Sequence, residues 1–334
     1  MREQADRTLG TTGLVVSRLG LGMAALGRPG YINLGHAADL NEDYGVGAMQ
    51  DHAFAVLDAA WAGGVHYFDT ARSYGRGESF LGNWLATRDI GPEAVVIASK
   101  WGYTYTADWN VNAEVHEIKE HSLRVLMRQW GETQTNLGDH LSLYQIHSAT
   151  FESGVLENPE VLNELARLRV GGTHIGLTVS GPQQGAVLQA AIHLRVDGEP
   201  LFESVQVTWN VLETSPTPIL AEAHARGMGV IVKEALANGR LTPKNDAPDF
   251  APQRAALQTQ AQRLSTSLDA LALAAALAQP WADVVLSGAA TVAHVESNLA
   301  ALDVAWDDEA AHALQDLAEA PEDYWRTRGN LAWN

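Results

Sequence analysis

Short apolar runs alternate along the chain with longer stretches in which apolar residues recur every three or four positions. The short runs predict buried strands, and the periodic stretches predict amphipathic helices. The pattern gives eight strand–helix units in succession, with one helix beginning at Asp51 and another covering residues 114–130. The expected strands cover residues 17–23, 65–68, 94–100, 141–147, 174–178, 204–208, 229–233 and 282–286.

Eight alternating units predict a parallel sheet that closes into a (β/α)8 TIM barrel, an α/β fold. An open doubly wound sheet is the alternative, but it usually has a Gly-x-Gly-x-x-Gly turn after its first strand, and none follows residues 17–23. We expect a single barrel domain over residues 1–334, with an N-terminal β-hairpin at 7–16, an extended loop at 24–50 and a C-terminal helix and tail at 307–334. Aromatic residues in that tail predict that it docks onto the body of the protein.

The composition excludes several classes of function. The formal net charge of −18 disfavours nucleic acid and anionic membranes as partners, and Pro280 breaks the most apolar run, so we expect no membrane span. The absence of Cys excludes disulfides and thiolate sites and fits a cytoplasmic location. The first six residues contain no apolar segment, so we expect no signal peptide. The 12 His show none of the spacings typical of metal ligands, and we expect no metal.

Ionisable residues stand at the ends of three consecutive predicted strands. Asp69, Lys100 and His147 end the second, third and fourth strands, and Tyr74 lies in the loop after the second strand. Barrel enzymes have their active sites at the C-terminal ends of the strands, and neighbouring strands are about 5 Å apart. We therefore expect these four side chains to converge.

The run from His66 to Gly82 carries the most specific pattern in the chain. It resembles the signature of the aldo-keto reductases, and the matching residues are Asp69-Thr70-Ala71, Tyr74-Gly75, Glu78 and Leu81-Gly82. The order Asp, Tyr, Lys, His also matches the catalytic tetrad of that family residue by residue. The resemblance implies an NAD(P)-dependent oxidoreductase that transfers a hydride between a nicotinamide cofactor, NADP or NAD, and a carbonyl or alcohol substrate.

The chemistry of the four residues is consistent with this resemblance. Hydride addition to a carbonyl leaves an alkoxide that must receive a proton, and we expect Tyr74 to be the general acid–base. The pKa of a free tyrosine is about 10, and we expect the buried ammonium of Lys100 to lower it. Asp69 is expected to pair with Lys100 and keep it charged. His147 is expected to hydrogen-bond the substrate oxygen or complete a proton relay.

The resemblance also implies a set of cofactor contacts. Beside the nicotinamide ribose the matching positions are Gly22, Met23 and Ala24, and Gln206 matches the residue that binds the carboxamide, with Thr178 as a further contact and Ser180 as the alternative to Thr178. Val232 and Lys233 lie on the strand that usually carries a stacking aromatic, and Leu236, Gly239 and Leu241 match the segment that covers the phosphates. The adenosine-phosphate motif is matched by Gly288, Thr291, His294 and Asn298. That motif lacks the Arg or Lys that would clamp a 2′-phosphate, because Ala290 and His294 occupy those places. We therefore expect weak selectivity between NADP and NAD.

The substrate pocket is expected to draw on Tyr31, Trp101 and Trp109, since an aromatic wall suits sugars and aryl aldehydes or ketones. The expected partner is a small-molecule carbonyl or sugar, and the expected assembly is a monomer or a small homo-oligomer. Two other classes of protein stay open. One is a nucleotide-binding regulatory or sensor protein of the same fold with little turnover, and the other is a barrel isomerase or aldolase that uses Lys100 as a Schiff base.

Overall fold

The structure, a computed structural model, describes residues 6–40 and 42–333. The signal-peptide prediction falls mainly on residues 1–5, and these lie outside the described residues, as does residue 334 of the predicted tail. Among the helices of the described part of the chain, none has the length and apolar character needed to cross a membrane.

The strands of the described residues form one barrel and three small two-stranded sheets. Their bounds are β1 (Arg7–Thr8), β2 (Val15–Val16), β3 (Leu19–Gly22), β4 (Tyr67–Asp69), β5 (Val96–Trp101), β6 (Tyr103–Tyr105), β7 (Glu117–Lys119), β8 (Leu141–Ala149), β9 (His174–Val179), β10 (Arg195–Val196), β11 (Glu199–Pro200), β12 (Ser204–Thr208), β13 (Gly229–Lys233) and β14 (Val284–Ser287).

Helices follow the barrel strands along the chain and cover the outside of the sheet. Their bounds are α1 (His36–Asp39), α2 (Val46–Ala62), α3 (Gly77–Thr87), α4 (Leu123–Leu137), α5 (Pro159–Val170), α6 (Gln184–Ile192), α7 (Thr217–Ala225), α8 (Ala251–Arg263), α9 (Leu268–Leu277), α10 (Val292–Leu299), α11 (Asp308–Leu314) and α12 (Pro321–Gly329).

The predicted (β/α)8 barrel is confirmed. Parallel strands close it in the order β3-β4-β5-β8-β9-β12-β13-β14, and β14 pairs with β3 to complete the ring. Every residue of β5 and of β12 is buried. This near-continuous burial follows from the architecture, because helices cover the outer face of a parallel sheet while side chains fill the inside.

The predicted N-terminal hairpin is also confirmed, and it closes the bottom of the barrel. Strand β1 pairs with β2 in antiparallel register, and the buried Leu9 packs in one cluster with Tyr67 and Ile231. Gly10 has a φ of +51°, and a Cβ there would lie 2.3 Å from the backbone nitrogen of Gly229, so the close approach requires glycine. With this end closed, the C-terminal ends of the strands form the open mouth.

Two helix boundaries differ from the prediction. The helix expected over 114–130 begins at Leu123, where the Ser122 hydroxyl accepts a hydrogen bond from the backbone N–H of Val125; residues Glu117–Lys119 instead form β7, which pairs with β6. The helix expected from Asp51 begins at Val46, so the last part of the expected loop 24–50 is helical. Apolar periodicity detects a helix body, but the start depends on capping that periodicity does not contain.

The C-terminal tail docks onto the barrel, as its aromatic residues predicted. Tyr324 on α12 is fully buried, and its hydroxyl accepts a hydrogen bond of 2.9 Å from the side-chain amide of Asn210. Trp333 stacks on His116, with ring centroids 4.1 Å apart and planes within 3° of parallel. The tail therefore contributes to the rim of the barrel mouth.

Candidate active site

A cavity of about 680 Å³ lies at the open mouth of the barrel, which is within the range typical of ligand pockets. It runs across the ends of the barrel strands and is covered on one side by the loop after β3, which supplies Tyr31. The predicted site residues that line it are Gly22, Ala24, Tyr31, Asp69, Tyr74, His147, Gln206, Lys233, Leu236, Gly239, Gly288, His294 and Asn298.

Asp69 and Lys100 form a buried ion pair under this cavity. The Lys100 ammonium donates to Asp69 Oδ1 and, at 2.8 Å, to the carbonyl oxygen of Thr70. The second carboxylate oxygen of Asp69 accepts from the amides of Gln206, at 2.8 Å, and Gln145, at 3.3 Å. Because β4 and β5 are adjacent strands, the two charges meet as predicted, and two amides hold the carboxylate in place.

Tyr74 and His147 stand above this pair. Lys100 Nζ lies 4.9 Å from the centroid of the Tyr74 ring, and the rings of Tyr74 and His147 meet edge to face with centroids 5.6 Å apart. The Tyr103 ring also packs against His147, with ring centroids 4.8 Å apart. The four side chains predicted from the strand ends therefore converge at one end of the cavity.

The electrostatics of this cluster differ from the expectation in one respect. Burial raises the pKa of Tyr74 well above its ordinary value, the Asp69 carboxylate raises it further, and the Arg28 guanidinium lowers it in part. The expectation that the pKa of Tyr74 is lowered is therefore wrong. Burial is the largest cause of the rise, and the Asp69 carboxylate, which accepts from the Lys100 ammonium, offsets part of the effect of that charge on the phenol.

Burial also acts on the two bases beside Tyr74, and it keeps His147 neutral. Burial lowers the pKa of His147 well below its ordinary range, and the Lys100 charge adds to this. Burial also lowers the pKa of Lys100, against the opposing effect of Asp69. A neutral imidazole and a protonated phenol can both donate a hydrogen bond to one substrate oxygen.

Arg28 is a wall residue that the sequence did not single out. Its side chain is 3% exposed, and its guanidinium lies 5.3 Å from the Tyr74 ring centroid and 4.7 Å from that of Trp333. Arg28 Nη1 donates to Glu117 Oε2 at 2.8 Å and to the carbonyl oxygen of Ser73 at 2.9 Å. A lone Arg in a Gly- and Pro-rich part of the extended loop was a signal that could have been used.

Lys233 and Glu234 form a second charged group on the wall with Arg328. Lys233 Nζ donates to Thr208 Oγ1 at 2.6 Å and to Ser180 Oγ at 3.3 Å, while Arg328 pairs with Glu234 at 2.7 Å. Burial lowers the pKa of Lys233 to about 8. Burial would raise the pKa of Glu234, but Arg328 and Lys233 hold it at about 2. These charges face the cavity at the end of β13, where Lys233 stands in the place of the aromatic residue that the family usually carries.

The opposite end of the cavity lies between β14 and α10. The Asn298 side-chain amide is 2.8 Å from Ser287 Oγ, and a Cβ on Gly288 would meet no atom within 4 Å, so a ligand can approach this backbone closely. His294 and Lys244 also line this end, and the Lys244 ammonium is paired with Asp39. The volume of the cavity and the polar groups at both of its ends fit a dinucleotide.

Several predicted residues are not part of the cavity wall. Thr178 is buried behind it and accepts a hydrogen bond of 2.7 Å from the backbone N–H of Ser148, while Ser148 and Ser180 reach the cavity. The others that lie outside the wall are Lys100, Met23, Val232, Leu241, Thr291, Trp101 and Trp109.

Trp101 and Trp109 occupy other environments for identifiable reasons. Trp101 directly follows Lys100 on β5, and successive strand residues point to opposite faces; its ring packs on His121 with centroids 5.4 Å apart. Trp109 donates its indole N–H to the carbonyl oxygen of Tyr44 at 2.6 Å and lines a separate surface pocket. Its place follows from the β6–β7 hairpin, which the sequence analysis did not expect.

A parallel barrel with an Asp–Lys pair, a Tyr and a His converging at the mouth is the arrangement of an oxidoreductase of the aldo-keto reductase type. The family model described as the Aldo/keto reductase family matches residues 18–319, and the chain belongs to this family. It is an oxidoreductase, and the family generally uses nicotinamide cofactors and small-molecule carbonyl substrates.

Individual relatives are distant in sequence but match over most of their length. The chain is 28% identical to the uncharacterized oxidoreductase YrpG of Bacillus subtilis, covering 95% of this chain and 98% of that protein. It is 26% identical to a pyridoxal 4-dehydrogenase of Microbacterium luteolum, covering 80% and 82%. Among solved structures, an aldo-keto reductase of Bacillus halodurans in its holo form matches with a TM-score of 0.71 and 21% identity, covering 95% and 97%, which supports the fold.

Proposed function

We propose that this protein is an NAD(P)-dependent oxidoreductase that transfers a hydride between the nicotinamide cofactor and a carbonyl or alcohol substrate, the carbonyl being an aldehyde, a ketone or an aldose, with Tyr74 as the general acid–base. The observation that carries the proposal is the convergence of Tyr74, His147 and the Asp69–Lys100 pair on one end of a ligand-sized cavity. A nicotinamide dinucleotide, when bound, would supply or accept the hydride.

The four side chains have distinct tasks in this proposal. Tyr74 gives its phenolic proton to the substrate oxygen as negative charge develops there. His147 donates a hydrogen bond to the same oxygen and orients the carbonyl. Lys100, fixed by Asp69 and the Thr70 carbonyl, lies beneath the Tyr74 ring, where its charge favours the phenolate that forms. A raised pKa keeps Tyr74 protonated near neutrality, which suits reduction better than oxidation.

The residues that would hold the cofactor lie along the cavity. Gly22 and Gln206 line it near Asp69, and Gly288, His294 and Asn298 line the far end. Lys233 provides a cation on the cavity wall, which favours an anionic ligand. The side-chain nitrogen of Gln206 donates to Asp69. The side-chain oxygen of Gln206 can therefore accept a hydrogen bond from the carboxamide of a bound nicotinamide.

The proposal is tested with purified protein, NADPH or NADH, and a panel of aryl aldehydes, aliphatic ketones and aldoses. We expect consumption of the reduced cofactor, followed by its absorbance, with at least one carbonyl class. Cofactor binding without turnover across the panel would contradict the proposal and favour a nucleotide sensor.

Selectivity between the two cofactors is expected to be modest. No Arg or Lys stands at positions 290 and 294, and the nearby Lys244 is already paired with Asp39. The ratio of kcat/KM for NADPH and NADH should therefore stay below about a hundredfold, or about 2.7 kcal/mol. His294→Arg should shift that ratio about tenfold toward NADPH because it adds a fork-shaped cation, whereas His294→Gln, the neutral control, should not.

Cofactor affinity is expected to fall as the pH rises through the pKa of Lys233, which is about 8. Below that pH the ammonium attracts the anionic NADH, and above it the attraction is lost. The dissociation constant of NADH, measured by fluorescence titration from about pH 7 to about pH 9, should rise several-fold. Lys233→Met should remove this pH dependence, and a wild-type affinity that does not change over the range would contradict the assignment.

A further inference from the structure

Arg28 is a buried cation that contacts the ring of Tyr74 but has no part in the tetrad. Its guanidinium carbon lies 5.3 Å from the Tyr74 centroid, and the backbone bond to Ser73 fixes it beside the loop that carries Tyr74. The rings of Tyr31 and Trp333 pack on the same guanidinium, with centroids 5.6 Å and 4.7 Å from its carbon. This aromatic enclosure holds the charge in one place and shields it from water.

Glu117 is the counter-charge of Arg28, and it comes from a different element. It lies on β7 of the hairpin inserted between β5 and α4, and its carboxylate is 2.8 Å from Arg28 Nη1. Both residues line the cavity. Arg28 therefore places a positive charge against the Tyr74 ring, and the Glu117 carboxylate neutralises part of that charge.

The other charged or titratable groups around Tyr74 are paired or neutral. Asp69 and Glu234 also raise the pKa of Tyr74, and each is paired with a cation, Asp69 with Lys100 and Glu234 with Arg328. His147 is neutral because burial lowers its pKa.

The phenol of Tyr31 is a further titratable group close to Tyr74. Its pKa is raised by burial, so it carries no charge near neutrality. The Arg28 charge lowers the pKa of Tyr74, and the Glu117 charge raises it.

We propose that Arg28 is a positioning residue that stabilises the deprotonated form of Tyr74, and that Glu117 limits this stabilisation. The inference rests on the proposed function, because it concerns the proton that Tyr74 transfers. A positive charge beside a phenol favours its deprotonated form, and a negative charge disfavours it. Because Glu117 offsets part of the Arg28 charge, loss of either residue is expected to change the phenolate population, in opposite directions.

Alcohol oxidation is the sensitive readout of this effect. In that direction Tyr74 must accept a proton, so the rate at a fixed pH below its pKa follows the fraction of phenolate, and one unit changes it about tenfold. The assay uses NAD+ and the alcohol of the carbonyl that the panel shows to be turned over fastest, near pH 8 and at several higher values. The Kd of NAD+ is measured alongside, to separate binding from proton transfer.

The variants are expected to shift oxidation in opposite directions. Arg28→Met should lower kcat about tenfold, Glu117→Gln should raise it about tenfold, and Arg28→Lys, which keeps the charge, should stay within about threefold of the wild type. Because Arg28→Met leaves the half-buried Glu117 carboxylate unpaired, the double variant Arg28→Met with Glu117→Gln is included and should return close to the wild-type rate. Lys119→Met, on the same hairpin, is the control and should leave the rate unchanged.

The outcomes separate this inference from the proposed function. A wild type without turnover contradicts the proposed function and the inference with it. An active wild type in which Arg28→Met and Glu117→Gln change oxidation in the same direction, or in which Arg28→Lys loses as much as Arg28→Met, contradicts the inference alone. A change confined to KM would also overturn it, because it would assign Arg28 to substrate binding.

Discussion

Tyr74→Phe is expected to lower the kcat of carbonyl reduction by about 10²–10⁴-fold, the usual contribution of a positioned general acid. The substitution removes the proton donor and leaves the ring that packs against His147 and lies over Lys100. The Kd of NADPH, measured by fluorescence titration, should stay within about twofold of the wild type. A loss of kcat with unchanged cofactor affinity is the signature of a group that acts in the transition state.

Tyr105→Phe is the matched control for this experiment. Tyr105 is also a tyrosine near the barrel mouth, but it lines a separate surface pocket and accepts a hydrogen bond of 3.2 Å from the backbone N–H of Trp109. Its loss should change kcat by less than about twofold. Tyr74→Phe with wild-type turnover would show that the proton comes from another group, with His147 or a water as the remaining donors.

The sequence predicted the barrel and the tetrad because both depend on local patterns at fixed spacing. Each βα unit repeats the same short strand and amphipathic helix, and barrel closure then brings the strand ends together. Asp69 and Lys100 were therefore predictable as neighbours, and the structure places them in contact. The amide of Gln145 was not, because nothing along the strand indicates that its side chain reaches Asp69.

The parts that sequence analysis missed depend on contacts between distant segments. The β6–β7 hairpin occupies residues where the start of a helix was expected. This hairpin carries Glu117, which pairs with Arg28, 89 positions away. Trp333 reaches Arg28 from the C-terminal tail. Docking of the tail was predictable from its aromatic residues, but its contact partners were not, because they are set by loop packing rather than by periodicity.

The direction of the pKa shift of Tyr74 could not be predicted from the sequence for a similar reason. The residue types correctly indicated a cation near the phenol, and a cation does lie there. The direction of the shift depends on burial and on where Lys100 donates its protons, and both are three-dimensional properties. The structure assigns the opposing effect to Arg28, a residue outside the recognisable pattern.

Glu78, the acidic residue that follows Tyr74 in the aldo-keto reductase signature, lies at the centre of a buried polar network. It is fully buried and accepts hydrogen bonds from Ser99 Oγ at 2.6 Å, Thr133 Oγ1 at 2.7 Å, Arg72 Nη1 at 2.8 Å and Asn136 Nδ2 at 3.0 Å. These donors come from β5, α4 and the Tyr74 loop, so one carboxylate joins three elements behind the active site.

Glu78→Ala is expected to lower the free energy of unfolding by about 3–5 kcal/mol, because it leaves the buried hydroxyls of Ser99 and Thr133 without their acceptor and removes the buried partner of Arg72. Glu78→Gln keeps the shape and part of the hydrogen bonding, so its loss should be smaller. Glu132→Gln is the control, since Glu132 also pairs with Arg72, at 2.9 Å, but is 34% exposed; its loss should stay below about 1 kcal/mol. Urea denaturation of the three variants measures these differences. Equal losses for Glu78→Ala and Glu132→Gln would mean that burial of the network contributes nothing beyond the Arg72 ion pairs.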